Sequence, residues 1–123
     1  MKYNAEQLAA LVNLGIKIAT ADGKVVHEEI AAISSELKKL GVTEDKLDDL
    51  FAAADSMSPI DALITISKMN EEKKRYATGF LAVIIAADGE IADSELKQWQ
   101  LMCTLGGFPP VTMADALLFW KNN

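Results

Sequence analysis

A short pattern that the chain uses twice constrains its fold more than any other feature. The segments "ADGKVVHEEI" at 21–30 and "ADGEIADSEL" at 87–96 lie 66 positions apart. The correspondence continues through the following helix and its turn. Because a repeated segment of this size is a supersecondary unit used twice, we expect two related three-helix units at about 13–54 and 79–121, with a connecting helix between them.

Apolar residues recur at helical spacing along nearly the whole chain, and the alternation typical of strands is almost absent. Half of the 123 residues are hydrophobic and 24% are charged, which is enough apolar surface for one core. We therefore predict an all-α fold, a compact bundle of seven helices in a single domain over 1–123. The predicted helices run from Asn4 to about 21, from 27 to 40, from Thr43, from Ser58, from 70 to about 87, from 93 to 105 and from Thr112.

Local signals mark several of these helix ends. Ser58 is followed by proline at the first helical position and by an acid at the third, and Thr112 stands three residues before Asp115, the spacing of a capping box. Thr43 is the expected cap of the third helix. Gly41 follows the second helix and is suited to a left-handed C-terminal cap.

The charge balance argues against a nucleic-acid partner. The formal net charge is -6 and the isoelectric point is about 4.7, whereas a polyanion requires a clustered basic surface. The densest basic run, 73–75, directly follows two glutamates. Acids followed by bases along a helix form local pairs, so this run is interpreted as a solvated helix face.

The remaining composition favours a cytoplasmic protein without enzyme chemistry. Cys103 is the only cysteine, so the chain has no internal disulfide, and its spacing from Trp99 predicts a buried, inert thiol. His27 is the only histidine, which excludes a two-histidine zinc site and leaves no partner for a nucleophile. No secretory leader or membrane span is evident.

The repeated turn matches the second half of a calcium-binding EF-hand loop. With Asp22 at loop position 5 and Gly23 at position 6, Glu29 falls on position 12, and Asp88 and Glu95 occupy the same places in the second copy. Positions 1 and 3 lack carboxylates in both copies. Neither copy is therefore expected to hold calcium by itself.

A structural role for the same turn is the competing interpretation. Gly23 or Gly89 would end a helix with a positive φ, and Glu29 or Glu95 would fold back onto free amides of the next helix. On this view Val25 or Ile91 turns into the core ahead of the next helix. However, neither copy has serine or threonine three residues before the glutamate, and a corner of this kind needs no aspartate before its glycine.

If the helices alternate in direction, the two turns are neighbours and four carboxylates meet at one end of the bundle. Like charges about 4 Å apart repel by roughly 4 kcal/mol at an effective dielectric near 20. Such a cluster requires a cation, a proton or a basic partner, and oxygen ligands favour calcium or magnesium. The candidate ligands are Asp22, Glu29, Asp88 and Glu95.

The all-helical pattern and the paired ADG segments resemble the TerB-like family, a small acidic domain associated with bacterial tellurite resistance and also found in a membrane-anchored J-domain co-chaperone. The resemblance covers about residues 5–120. It implies an all-helical fold of two related halves, a cation-binding acidic cluster at the four carboxylates, and a role in a stress response through other proteins, including membrane-associated assemblies. Family members often have serine or threonine where this chain has Val26 and Ala92.

The last third of the chain concentrates large apolar residues. If the C-terminal helix exposes Phe119 or Trp120, that surface would suit a partner helix or a membrane surface. The alternative function is therefore a metal-free helical adaptor that recognises a protein through its acidic face or this C-terminal surface.

Overall fold

The computed structural model describes residues 3–20, 27–87, 91, 93–108 and 112–121. Within these ranges the chain forms seven α-helices and no strand, which confirms the predicted all-α class. The helices are α1 (Ala5–Ala19), α2 (His27–Lys39), α3 (Glu44–Asp55), α4 (Pro59–Ser67), α5 (Glu71–Ala86), α6 (Asp93–Leu105) and α7 (Met113–Lys121).

Most helix starts follow from local hydrogen bonding. Asn4 forms a complete capping box with Gln7, in which each side chain accepts a hydrogen bond from the other residue's backbone amide. The Ser58 hydroxyl accepts from the third amide of α4 at 3.1 Å, as its sequence predicts. Thr43 precedes α3, but its side chain makes no capping hydrogen bond, so that part of its predicted role was wrong.

Helices α2 and α6 end in the same way. Among the described residues, positive φ angles occur at Gly41 (94°) and Gly107 (66°), which lie 66 positions apart. In each case the amide after the glycine donates to the carbonyl five residues earlier, at 3.0 and 2.9 Å. This is the Schellman arrangement, and glycine permits it because it lacks a Cβ atom.

Two helices, α1 and α5, form the centre of the bundle. α1 packs most extensively against α4 and α3, and α5 against α7, while α1 and α5 also contact each other. Both α2 and α6 contact both central helices. The fully buried large side chains include Leu11, Leu14 and Ile18 of α1 and Phe80, Leu81, Ile84 and Ile85 of α5.

Two further features complete the architecture. Asn13 ties α1 to the end of α3, since its side-chain amide donates to the carbonyls of Ala54 (3.0 Å) and Met57 (2.7 Å). No helix in the described part of the chain combines the length and apolarity that crossing a bilayer requires.

Candidate functional site

The sequence-predicted cation site lies partly outside the described residues. Asp22, Gly23, Asp88 and Gly89 fall in segments that the structure does not describe. Whether the two ADG turns meet therefore stays a prediction. Glu29 and Glu95 are described, and they lie in the first turns of α2 and α6.

Both glutamates are buried. Glu29 is 1% exposed and Glu95 is 3% exposed, although they belong to the residue type that is among the least often buried. Oε2 of Glu95 accepts no hydrogen bond from the described residues. Because removing a carboxylate from water is costly unless a charge or donor compensates it, these positions are not ordinary solvated helix starts.

Helix electrostatics account for part of this placement. The first turn of a helix carries partial positive charge, which stabilises an acidic side chain there. Glu28 in α2 and Asp93 in α6 provide further acids in the same turns.

The structural interpretation of the turn also expected Ile91 to enter the core, and this was wrong, because its side chain is 49% exposed. Val25 lies outside the described residues.

The other candidate residues near these turns supply few ligands. His27 begins α2 and is exposed. Across the described ranges, no group of three or more histidine, cysteine, aspartate or glutamate side chains is placed to hold a metal ion.

A third buried glutamate, Glu36, lies at the junction of α2, α5 and α7. Its Oε2 accepts hydrogen bonds from the Tyr76 hydroxyl at 2.9 Å and from the indole Nε1 of Trp120 at 2.8 Å. Its Oε1 lies 3.2 Å from the Lys39 ammonium, which also stands 5.0 Å from the centre of the Trp120 ring. The carboxylate thus receives donors from three separate helices.

These contacts border a cleft of about 590 Å³, which Glu72 and Lys121 also line. Burial, followed by the charge of Glu36 and the hydrogen bond to it, raises the pKa of Tyr76 well above the usual tyrosine value. Tyr76 therefore remains a hydrogen-bond donor to the carboxylate at neutral and moderately alkaline pH.

The C-terminal helix presents a different residue from those expected. Phe119 and Trp120, the proposed interaction residues, are partly buried and pack against the core, whereas Leu118 is 58% exposed.

Cys103 is partly buried, and loss of hydration raises the pKa of its thiol to about 12. A thiol with this pKa has little thiolate near neutral pH.

Sequence reasoning missed Glu36, although a signal for it exists. The buried positions of α2 are 29, 33, 36 and 37, which follow the helical period. Glu36 therefore occupies the apolar stripe of its helix. A charged residue at such a position indicates a specific partner, but the sequence does not say which one.

Comparisons with known proteins agree with this architecture. The family model described as "Tellurite resistance protein TerB" matches residues 7–118. A crystal structure of a protein of unknown function from Porphyromonas gingivalis W83 is 37% identical, with a TM-score of 0.88, and the match covers 99% of this chain and 92% of that one. No curated protein matches. The chain belongs to the TerB family of tellurite resistance proteins.

Proposed function

We propose that this TerB domain is a non-catalytic, cytoplasmic stress-response module that binds one divalent cation between its paired ADG turns. Asp22 and Glu29 from one turn and Asp88 and Glu95 from the other would share the ion. The family membership supports a role of the tellurite-resistance type. The observation that carries the cation proposal is the burial of Glu29 and Glu95 at positions 66 residues apart.

The two helices that follow the ADG turns pack against the same pair of central helices. Helices α2 and α6, which begin with the buried glutamates, both contact the central helices α1 and α5. An uncompensated carboxylate is costly inside a protein, and Oε2 of Glu95 accepts no hydrogen bond within the described ranges. A cation near this oxygen would offset that cost.

The chemistry of the ligands selects the ion. Carboxylate oxygens favour calcium or magnesium over softer metals. Each turn has too few ligands to complete a calcium shell, so binding should be shared and weak.

Calorimetric melting in the presence of calcium or magnesium tests this function. A ligand at 100 times its Kd stabilises the folded state by about 2.7 kcal/mol. We expect millimolar calcium to raise the melting temperature of the parent in low-salt buffer. In Asp22→Asn/Asp88→Asn this response should vanish, while the metal-free variant becomes no less stable because carboxylate repulsion is relieved.

Asp48→Asn/Asp49→Asn is the matched control, since it removes the same charge from exposed positions on α3. It should keep the calcium response. Absence of stabilisation in the parent would eliminate the cation proposal. A large drop in the melting temperature of metal-free Asp22→Asn/Asp88→Asn would instead assign the aspartates to capping.

The alternative is a metal-free adaptor whose partners are other proteins. Leu101 and Leu105, one turn apart on α6, are 52% and 61% exposed, and Leu118 on α7 is also exposed. These residues give the adaptor proposal a different surface from the one expected at Phe119 and Trp120. If neither calcium nor magnesium changes the melting temperature of the parent protein, this alternative is favoured.

A further inference from the structure

The cleft between α2, α5 and α7 already contains a cation from the protein itself. The Lys39 ammonium lies 3.2 Å from Oε1 of Glu36 and 5.0 Å from the centre of the Trp120 ring. A carboxylate beside an aromatic face is the environment that binds basic side chains, through an ion pair and a cation–π contact. The cleft therefore has the chemistry of a receptor for a lysine or arginine.

The two oxygens of Glu36 are held in different ways. Tyr76 and Trp120 both donate to Oε2, so side chains from two other helices fix the orientation of the carboxylate. The hydrogen bond to Oε1 comes from Lys39. The acceptor is thus preorganised by the fold, and its second oxygen faces a long, flexible side chain.

Lys39 is the exposed partner of this ion pair, and Glu36 is the buried one. The Lys39 side chain is 60% exposed, whereas that of Glu36 is 3% exposed. Hydration of the exposed ammonium offsets part of what Lys39 loses when it leaves the carboxylate. If Lys39 swung into water, a buried carboxylate oxygen would lose its cation, and an incoming basic group would restore that compensation.

We propose that Glu36, Tyr76 and Trp120 form a receptor for a lysine or arginine side chain of a protein partner, and that Lys39 fills this receptor in the free chain. The cleft volume of about 590 Å³ lies within the range of ligand sites. Glu72 adds a carboxylate at the rim, and the net charge of -6 attracts a basic partner. This receptor is separate from the ADG turns and does not depend on cation binding there.

The two tryptophans provide a direct readout by NMR of the 15N-labelled protein. Trp120 donates its indole N–H to Glu36, whereas Trp99 donates to the carbonyl of Thr78 at 3.2 Å. The probes are the blocked peptides acetyl-Gly-Lys-Gly-amide and acetyl-Gly-Arg-Gly-amide. We expect a saturable shift of the Trp120 indole signal at concentrations on the order of 1 mM, because a single side chain supplies little binding energy. The Trp99 signal should stay fixed, and acetyl-Gly-Gln-Gly-amide should shift neither signal.

Removal of Lys39 distinguishes a binding site for basic side chains from an ion pair that only stabilises the fold. Lys39→Met removes the internal cation, so the peptide Kd should fall by about threefold or more, because an occupied site lowers apparent affinity by the fraction that is free. Lys38→Met is the matched control, since it removes the same charge from a lysine that pairs with Glu44 at 2.9 Å. The peptide Kd of Lys38→Met should differ from that of the parent much less than the Kd of Lys39→Met does.

Glu36→Gln should abolish the peptide-dependent shift at these concentrations, since a neutral amide forms no ion pair with the incoming cation. Three results would overturn the receptor: a parent signal of Trp120 that does not saturate, a Lys39→Met protein that binds no more tightly, or equal changes in Lys38→Met and Lys39→Met. The last result would assign the response to net charge. The lysine variants preserve the test even if Glu36→Gln fails to fold.

Discussion

The hydroxyl groups of Tyr3 and Tyr76 donate hydrogen bonds that form only in the folded chain. The Tyr3 hydroxyl donates to the carbonyl of Lys73 at 2.8 Å, and the Tyr76 hydroxyl donates to Glu36 at 2.9 Å. Burial is the largest cause that raises the pKa of each phenol above its usual value. Both tyrosines therefore keep their protons in the fold at a pH where they would lose them in an unfolded chain.

This difference predicts alkaline destabilisation. The stabilising contribution is fully present below the unfolded tyrosine pKa of about 10, and it is lost as the pH rises through the higher folded values. The free energy of unfolding, measured by urea melts, should therefore fall steadily above pH 10. Tyr76→Phe should have a shallower decline, because one of the two shifted phenols is gone. Identical slopes in both proteins would contradict this account of Tyr76.

Single residues show where sequence reasoning succeeds and where it stops. The caps at Asn4 and Ser58 are predictable because their hydrogen bonds reach amides only three residues away. Glu36 is different, since the two donors to its Oε2 come from 40 and 84 residues along the chain. No local rule specifies that pairing, because it depends on how three helices come together.

Helix α7 depends on a close approach to α5. It has nine residues, which is too short for an isolated helix to be stable in water. A Cβ atom added at Gly79 would lie 2.6 Å from the Cβ atom of Trp120 and 2.7 Å from the backbone oxygen of Ala116. Gly79 therefore allows α7 to approach α5 closely enough for Trp120 to reach Glu36.

Gly79→Ala should destabilise the protein and loosen α7. Overpacking against backbone costs about 1–3 kcal/mol, and the higher helix propensity of alanine recovers only about 1 kcal/mol of this. Urea melts should show the net loss, and the Trp120 indole signal should shift.

Gly15→Ala is the control for this prediction, because it also places alanine in a central helix. The added Cβ atom would meet the ends of the flexible side chains of Ile84 (2.9 Å) and Ile33 (3.3 Å), which can move aside. Its stability should stay close to that of the parent. If Gly79→Ala proved at least as stable as Gly15→Ala, the close approach of α7 would not be a constraint.

The helix boundaries were predictable because capping residues and glycines mark them locally, as at Asn70 and Gly41. The environment beyond each boundary was less predictable. Thr43 has the right residue type for a cap but makes no capping hydrogen bond, and Ile91 has the right apolarity for the core but is half exposed. In both cases the final orientation of the side chain depends on packing that residue type alone does not determine.

The acidic residues of the chain include two buried glutamates, one in the first turn of α2 and one in the first turn of α6. A net charge of -6 by itself favours only solubility and basic partners. Burial of Glu29 and Glu95 places two of those charges where water cannot solvate them well. The proposed cation would compensate both glutamates at once, provided that Asp22 and Asp88 complete a shared site.

Isothermal titration with calcium tests that sharing most directly. The parent should bind about one calcium ion per chain, since each turn has only part of a calcium shell. Asp22→Asn and Asp88→Asn, made separately, should each abolish the heat of binding because the ion needs both turns. Two ions per chain, with each single variant keeping one of them, would contradict the shared site, as would a parent that shows no heat of binding.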